Sequence, residues 1–303
     1  MLAPFRDILD ERRRAGAAVG AFTCYDVTTA LGVIGAAEAR NVPAILLVAE
    51  ASFRAPTGRL LVPALHAVAD EASVPMCVQL DHVSDDALID AALAAGIGAV
   101  MADGSKLPPE RNAAFVAEVR RRAGSAGIEA ELGHIEGGED VAAATEAGAL
   151  TDPEEALVFV GASRCDCLAV SIGNVHGRYA SPPRLDFERL ARLRDSVDVP
   201  LSLHGASGLP GDDVRRAVAL GVCKVNVNAE IRERYLTRLA DQLPAALDGL
   251  RLLELEAAVV DAVEDLVTAK LQLLGGERRL RSRAARTAAS GHRGQARVQR
   301  YVS

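Results

Sequence analysis

The sequence predicts an α/β protein, a single (β/α)8 TIM barrel with extra C-terminal helices, and three observations lead there. Eight short aliphatic or β-branched runs alternate with Ala-rich segments of helical spacing. Gly or Pro introduces several of these runs (Pro43, Pro75, Gly98, Gly127, Pro200, Gly221), the punctuation expected where a helix stops and a parallel strand begins. Polar residues gather at the C-terminal ends of the runs, among them Gln79, Asp81, Asp103, Glu129, Glu131, Ser202, His204, Asn226 and Asn228. That is the end at which barrels of this type build their sites. A doubly wound open sheet is the other arrangement compatible with the same alternation.

The elements follow in order. An amphipathic, charged segment from Phe5 to Arg12 opens the chain and lacks the apolar core of a signal peptide. Strands are expected at Val19–Tyr25, Ala44–Ala49, Met76–Leu80, Ala99–Ala102, Glu129–Leu132, Leu168–Ile172, Leu201–Leu203 and Cys223–Val227. Between them, sets such as Ala113, Val116, Val119 and Ala123 recur at helical spacing. After the eighth strand, Glu230–Gln242 reads as a long helix and Leu250–Leu274 as one or two more. These exceed what a barrel needs and suit an oligomer interface. Residues 1–276 are thus expected to form one barrel domain, followed by a basic tail over 277–303.

Composition narrows the class. Aromatic residues are 3% of the chain and Trp is absent, so the core must be aliphatic. No apolar run reaches the ~18 residues of a membrane span. Five cysteines (Cys24, Cys77, Cys165, Cys167, Cys223) make an odd count with no Cys-x-x-Cys, which suits reduced core residues in a cytoplasmic protein. Eight Arg and one Glu give the segment from Glu277 to Ser303 a charge of +7, so a total of −7 leaves −14 on residues 1–276. An acidic body argues against a nucleic-acid partner, whose phosphates need clustered cations. The tail reads as disordered; alternatively, one of its arginines reaches a neighbouring subunit's substrate phosphate.

Three of the six histidines end strand-like runs: His82 after Gln79-Leu80-Asp81, His176 in Ile172-Gly173-Asn174-Val175-His176-Gly177, and His204 after Leu201-Ser202-Leu203. Three imidazoles converging from separate strands are what a catalytic zinc needs, with one position left open. Asp81 adjoins His82 and, on an extended strand, would point to the opposite face. It would either deliver a proton to metal-bound substrate or orient a ligating imidazole. Asp103 and Glu131 are candidates for a second divalent ion, or simply an acidic mouth. Glu139 follows Gly137-Gly138 and would act as a loop-borne general base or be solvated. Gly205-Ala206-Ser207-Gly208 and Asn226-Val227-Asn228-Ala229 follow strands seven and eight, where small residues let backbone N–H groups approach a phosphate.

Together these motifs resemble the class II (zinc-dependent) fructose-bisphosphate and tagatose-bisphosphate aldolase family over roughly residues 5–270. The match rests on Gln79-Leu80-Asp81-His82, Glu129-Ala130-Glu131-Leu132-Gly133 with Gly137-Gly138-Glu139-Asp140, Ile172 to Gly177, Leu203 to Gly208, and Lys224-Val225-Asn226-Val227-Asn228. The resemblance implies that His82, His176 and His204 hold the zinc, with Asp103 and Glu131 as a secondary metal site. It implies Asp81 as proton donor to the aldehyde oxygen and Glu139 as the base acting on dihydroxyacetone phosphate. That phosphate would be held by Ser52, Gly177, Gly205, Ala206, Ser207, Asn226, Val227, Asn228 and Ala229. A monovalent cation (Na+ or K+) near the phosphate and a dimeric or tetrameric assembly are also implied.

Three departures bear on which ketose phosphate is used: Thr23 where the family has Asn, Glu136 before the glycine pair, and Ala229 where it has Thr. A lost hydrogen bond to a charged group costs roughly 1.5–3 kcal/mol. The competing lysine Schiff-base chemistry has only Lys106, Lys224 and Lys270 to draw on, and Lys224 would lie deep, away from the mouth. A metal-dependent hydrolase barrel would want a His-x-His pair, which is absent. A homologue that keeps the metal but not the chemistry would have no need of Asp81 and Glu139.

Overall fold

The computed structural model describes residues 1–137 and 144–275. Helix α1 (Phe5–Arg14) precedes β1 (Val19–Thr23), α2 (Val27–Arg40), β2 (Ala44–Ala49), the short α3 (Glu50–Arg54) and α4 (Gly58–Asp70). Then come β3 (Met76–Val83), α5 (Asp86–Ala94), β4 (Ala99–Ala102), α6 (Pro109–Arg122), β5 (Gly127–Leu132) and β6 (Ala144–Thr145). The chain continues through α7 (Pro153–Ser163), β7 (Cys167–Val170), β8 (Arg178–Tyr179), α8 (Phe187–Ser196), β9 (Leu201–Leu203) and α9 (Gly211–Ala219). It ends with β10 (Val222–Val227), α10 (Ala229–Gly249) and α11 (Leu252–Leu274). Four helices start as their sequence dictates: Asp26, Asp85, Asp152 and Asp186 each accept a backbone N–H from the first turn of α2, α5, α7 and α8.

Eight strands close a parallel barrel in the order β1-β10-β9-β7-β5-β4-β3-β2, which settles the choice against an open sheet. The outer core lies between strands and helices and is aliphatic, with Leu46, Val48, Val78, Leu80, Val100, Ile128, Leu168 and Val225 buried in it. A second cluster fills the barrel's N-terminal half: Val19, Ala21, Ile45, Leu47, Cys77, Ala99 and Cys167 point inward and meet Phe5, Ile8 and Leu9 of α1. The charged opening segment is therefore a plug. Gly127 makes room for it, since a Cβ there would meet the Phe5 ring. The five cysteines are buried and unbridged.

The C-terminal extension is two helices, with α11 continuous. Leu255, Val259, Val263, Val267, Leu271 and Leu274 line its buried stripe, and Val263 fills the space left by Gly32 of α2. By contrast α10 buries only Ile231 completely, while Leu247, Leu250, Leu252 and Leu253 stay exposed around the α10–α11 turn. Among the described residues no helix is long and apolar enough to cross a membrane.

Two features depart from the sequence expectation. The two-residue strands β6 and β8 pair with each other outside the barrel, and so short a pairing leaves no periodicity to read. Strand β3 also runs past Leu80 to Val83, because an extra residue is accommodated where its register with β4 shifts between Leu80 and Val83.

Candidate active site

That bulge shapes the site. His82 adopts φ 49°, the left-handed region that disfavours a side chain. In consequence Asp81 and His82 both reach one cavity instead of pointing to opposite faces, which corrects the expectation drawn from strand alternation. A conformation of this kind costs on the order of 1–3 kcal/mol and persists only where the surroundings impose it.

The cavity opens at the C-terminal ends of the strands and has a volume of about 590 Å3. Asp81, His82, Asp103, Glu131 and His176 all line it. The ring centroids of His82 and His176 are 4.6 Å apart, those of His82 and His204 4.8 Å, and those of His176 and His204 5.8 Å. One donor atom from each of the three histidines falls within 4.8 Å of the others, and the same holds for His82, Asp103 and Glu131. His82 is thus common to both sets. Its Nδ1 donates to Asp103 Oδ2 at 2.9 Å, and its Nε2 lies 2.8 Å from His204 Nδ1.

Charge follows this geometry. Burial opposes protonation of His82, but Asp81, Asp103 and Glu131 outweigh it and hold the imidazolium well above the usual histidine range. Burial would raise the Asp103 carboxyl too, yet its hydrogen bond and proximity to His82 keep it well below the usual carboxylate range. Glu131 goes the other way: burial first, and then the neighbouring Asp103, push it up to about 8. Its Oε2 is buried without a hydrogen-bond partner, 3.9 Å from His82 Nδ1. A buried carboxyl oxygen left unpartnered beside an imidazole is open to a cation.

Beneath the mouth lies a polar layer. Glu129 Oε1 accepts from His204 Nε2 at 2.9 Å, while its Oε2 accepts from Gln79 at 2.6 Å and from Lys224 at 2.8 Å. Burial would raise the Glu129 carboxyl, but the Lys224 ammonium, followed by the His204 hydrogen bond, holds it well below its ordinary range. Lys224 Nζ also donates to Asn226 Oδ1, whose amide nitrogen lies 3.3 Å from both oxygens of Asp81. Lys224 is fully buried, as its strand position implied.

A narrower hollow adjoins the cavity, with Asp81 and His176 lining both. Gly177, Gly205, Ser207, Asn226, Asn228 and Ala229 line it as the motifs anticipated. Gly205 sits at φ 62°, and a Cβ there would strike the Val175 carbonyl. Helix α10 begins at Ala229, so its first N–H groups and positive dipole end are at this hollow. Ala206 and Val227 are buried in the outer core, so only their backbone is near. Ser52 lies in α3 but lines neither space, whereas its neighbours Glu50, Ala51 and Arg54 line the larger one. Glu139 lies outside the described residues. Just before it, the Glu136 carbonyl accepts from the His176 N–H at 2.7 Å, tying that loop to a member of the histidine set.

Sequence reasoning missed Arg232 and Arg54 and named Lys106 only among the lysines of the competing chemistry. Arg232 lines the hollow, and Arg54 and Lys106 line the cavity. Arg232 was legible in principle, since it stands four residues after Asn228 on one helical face. Thr23, noted as a departure, also lines the hollow.

The fold is that of a barrel enzyme whose polar residues converge at the strand C-termini. The family described as class II fructose-bisphosphate aldolase matches residues 3–279, and the chain belongs to it. The YdjI aldolase of Escherichia coli K12 is similar at 30% identity and TM-score 0.81, covering 92% of this chain and 99% of its own. A Coccidioides immitis protein provisionally assigned as a fructose-1,6-bisphosphate aldolase matches at 30% identity and TM-score 0.81, over 90% of this chain and 97% of its own. Fructose-bisphosphate aldolase from Campylobacter jejuni shares the fold at 18% identity and TM-score 0.75, over 90% of this chain and 95% of its own. Family and neighbours support an aldehyde-lyase activity.

Proposed function

We propose that the protein is a zinc-dependent aldolase that reversibly cleaves a ketose phosphate to dihydroxyacetone phosphate and an aldehyde. The observation that carries this reading is the convergence of His82, His176 and His204 beside Asp81, next to a hollow lined by Gly177, Gly205 and Ser207 at the N-terminus of α10. The donor set fits the metal: three imidazoles suit zinc, and the unpartnered Glu131 oxygen with Asp103 suits a second divalent position. Bound there, zinc would supply Lewis-acid polarisation of the substrate's oxygens.

The chain's own groups would do the rest. The α10 N-terminus, Ser207, Gly177 and Gly205, with Arg232 and Asn228, would hold the dihydroxyacetone phosphate group. A monovalent cation there is part of the proposal. Arg232 offers a charged donor near the position where Ala229 lacks the family's hydroxyl. Asp81, held by the Asn226 amide, would give a proton to the aldehyde oxygen. Glu139 would take a proton from dihydroxyacetone phosphate. The exposed leucines at the α10–α11 turn would be covered in a homo-oligomer, and the buried free thiols suit the cytoplasm.

The test is exchange of the C3 proton of dihydroxyacetone phosphate in heavy water, with zinc-loaded and chelator-stripped protein. Zinc-dependent exchange is the expected result; zinc bound without exchange would sink the reading and leave a metal-binding homologue without the chemistry.

A further inference from the structure

We infer that Glu129, clamped by the buried ammonium of Lys224, is a positioning residue that fixes His204 with its Nδ1 toward the centre of the site. The inference rests on the reading of His204 as a metal ligand. Four strands bring the parts together: Gln79 from β3, Glu129 from β5, Lys224 from β10 and, one residue past β9, His204. The side chains of Glu129, Lys224 and His204 are all 0% exposed, so none of them is placed there for solubility.

The hydrogen bonds permit only one arrangement. Glu129 accepts from Lys224 and Gln79 at one oxygen and from His204 Nε2 at the other. A carboxylate has no proton to give, so Nε2 must carry the hydrogen and Nδ1 must present its lone pair. Nδ1 is the atom that faces the Asn226 amide nitrogen, a donor, at 3.3 Å, and it lies 2.8 Å from His82 Nε2. The anion also raises the electron density of the ring, which strengthens its other nitrogen as a ligand.

Stability does not call for charges at this depth. A buried ion pair is often matched or bettered by neutral groups of the same volume. The pair therefore has a use other than holding the barrel together. Lys224 is the only lysine within the barrel strands, and its ammonium is committed to Glu129 and Asn226 rather than poised as a nucleophile.

The test compares the wild type with the double variant K224M/E129Q, which removes both charges at nearly constant volume. Zinc dissociation constants come from competition with a chromophoric chelator, and thermal unfolding of the stripped proteins reports folding. The expected result is a ten- to hundredfold weaker zinc constant with an unfolding temperature close to that of the wild type. The single variant E129Q, which keeps Lys224, is expected to weaken zinc at least as much. A double variant that binds zinc within twofold of the wild type would overturn the inference while leaving the functional reading intact. A wild type that bound no zinc would overturn both.

Discussion

The two polarities of the barrel interior are contributed by different strands, with only β3 supplying both. The apolar set is Val19, Ala21, Ile45, Leu47, Cys77, Ala99 and Cys167 against Phe5, Ile8 and Leu9 of the α1 plug. The polar set is Gln79 and Asp81 further along β3, Glu129 and Glu131 of β5, and Lys224 and Asn226 of β10, all nearly or fully buried. Glu129 is in register with Cys167, and Lys224 with Val19. Desolvating that many polar groups is unfavourable, and a left-handed His82 adds to it. The apolar set and the helix-covered outer face supply the burial that offsets this. Stability and chemistry are thus separated mainly by strand, and they meet where Glu129 and Lys224 lie level with Cys167 and Val19.

Four measurements would break or sharpen that separation. The largest effect is expected from His204→Ala: zinc content and triose-phosphate release should both be lost, while the stripped protein unfolds near the wild-type temperature. Unchanged zinc and turnover in this variant would refute the metal assignment. Asp81→Asn should lower turnover by ~10²–10⁴-fold, the usual scale for a general acid, with zinc stoichiometry retained. In the apolar set, Phe5→Ala should cost about 3–5 kcal/mol of stability in denaturant unfolding and leave the zinc constant unchanged. A changed zinc constant would show that the two sets are coupled.

The smallest effect is a pH slope in the stripped protein. Glu131 is raised from 4.5 to about 8, so the folded state holds its proton more tightly than the unfolded chain. Its contribution is fully present below 4.5 and is lost as pH rises towards 8. His82, also raised, acts with the same sign: its contribution is present below 6.5 and lost as pH climbs through the higher folded value. Stability should therefore fall from pH 5 to pH 8, and Glu131→Gln should flatten that slope. A slope that rises instead would contradict the charge arrangement.

Much of this was legible in the chain. Hydrophobic runs and their Gly and Pro punctuation located all eight barrel strands, because both faces of a parallel strand must be apolar. His82 and His204 were visible because each interrupts such a run at its end, whereas His176 lies in the loop after β7, which ends at Val170. What stayed hidden is three-dimensional. Strand alternation placed Asp81 and His82 on opposite faces, and only the register shift against β4 shows why it fails. Parity could pair Lys224 with Asn226 on one strand, but not with Glu129 across the barrel. Nothing in Ala206 or Val227 announces that their side chains face the helices. Arg232 is missed by a motif that stops at Ala229.

The left-handed backbone at His82 has a consequence for descent. Most side chains are disfavoured at that φ. Whereas Asn41, Arg164 and Leu250 adopt it as helix C-caps, a common way for a helix to end, His82 adopts it inside a strand, where its ring is what the site uses. A lineage released from holding a metal would gain stability by taking glycine at 82. Position 82 is therefore a marker across relatives, with histidine expected in working members and glycine in retired ones.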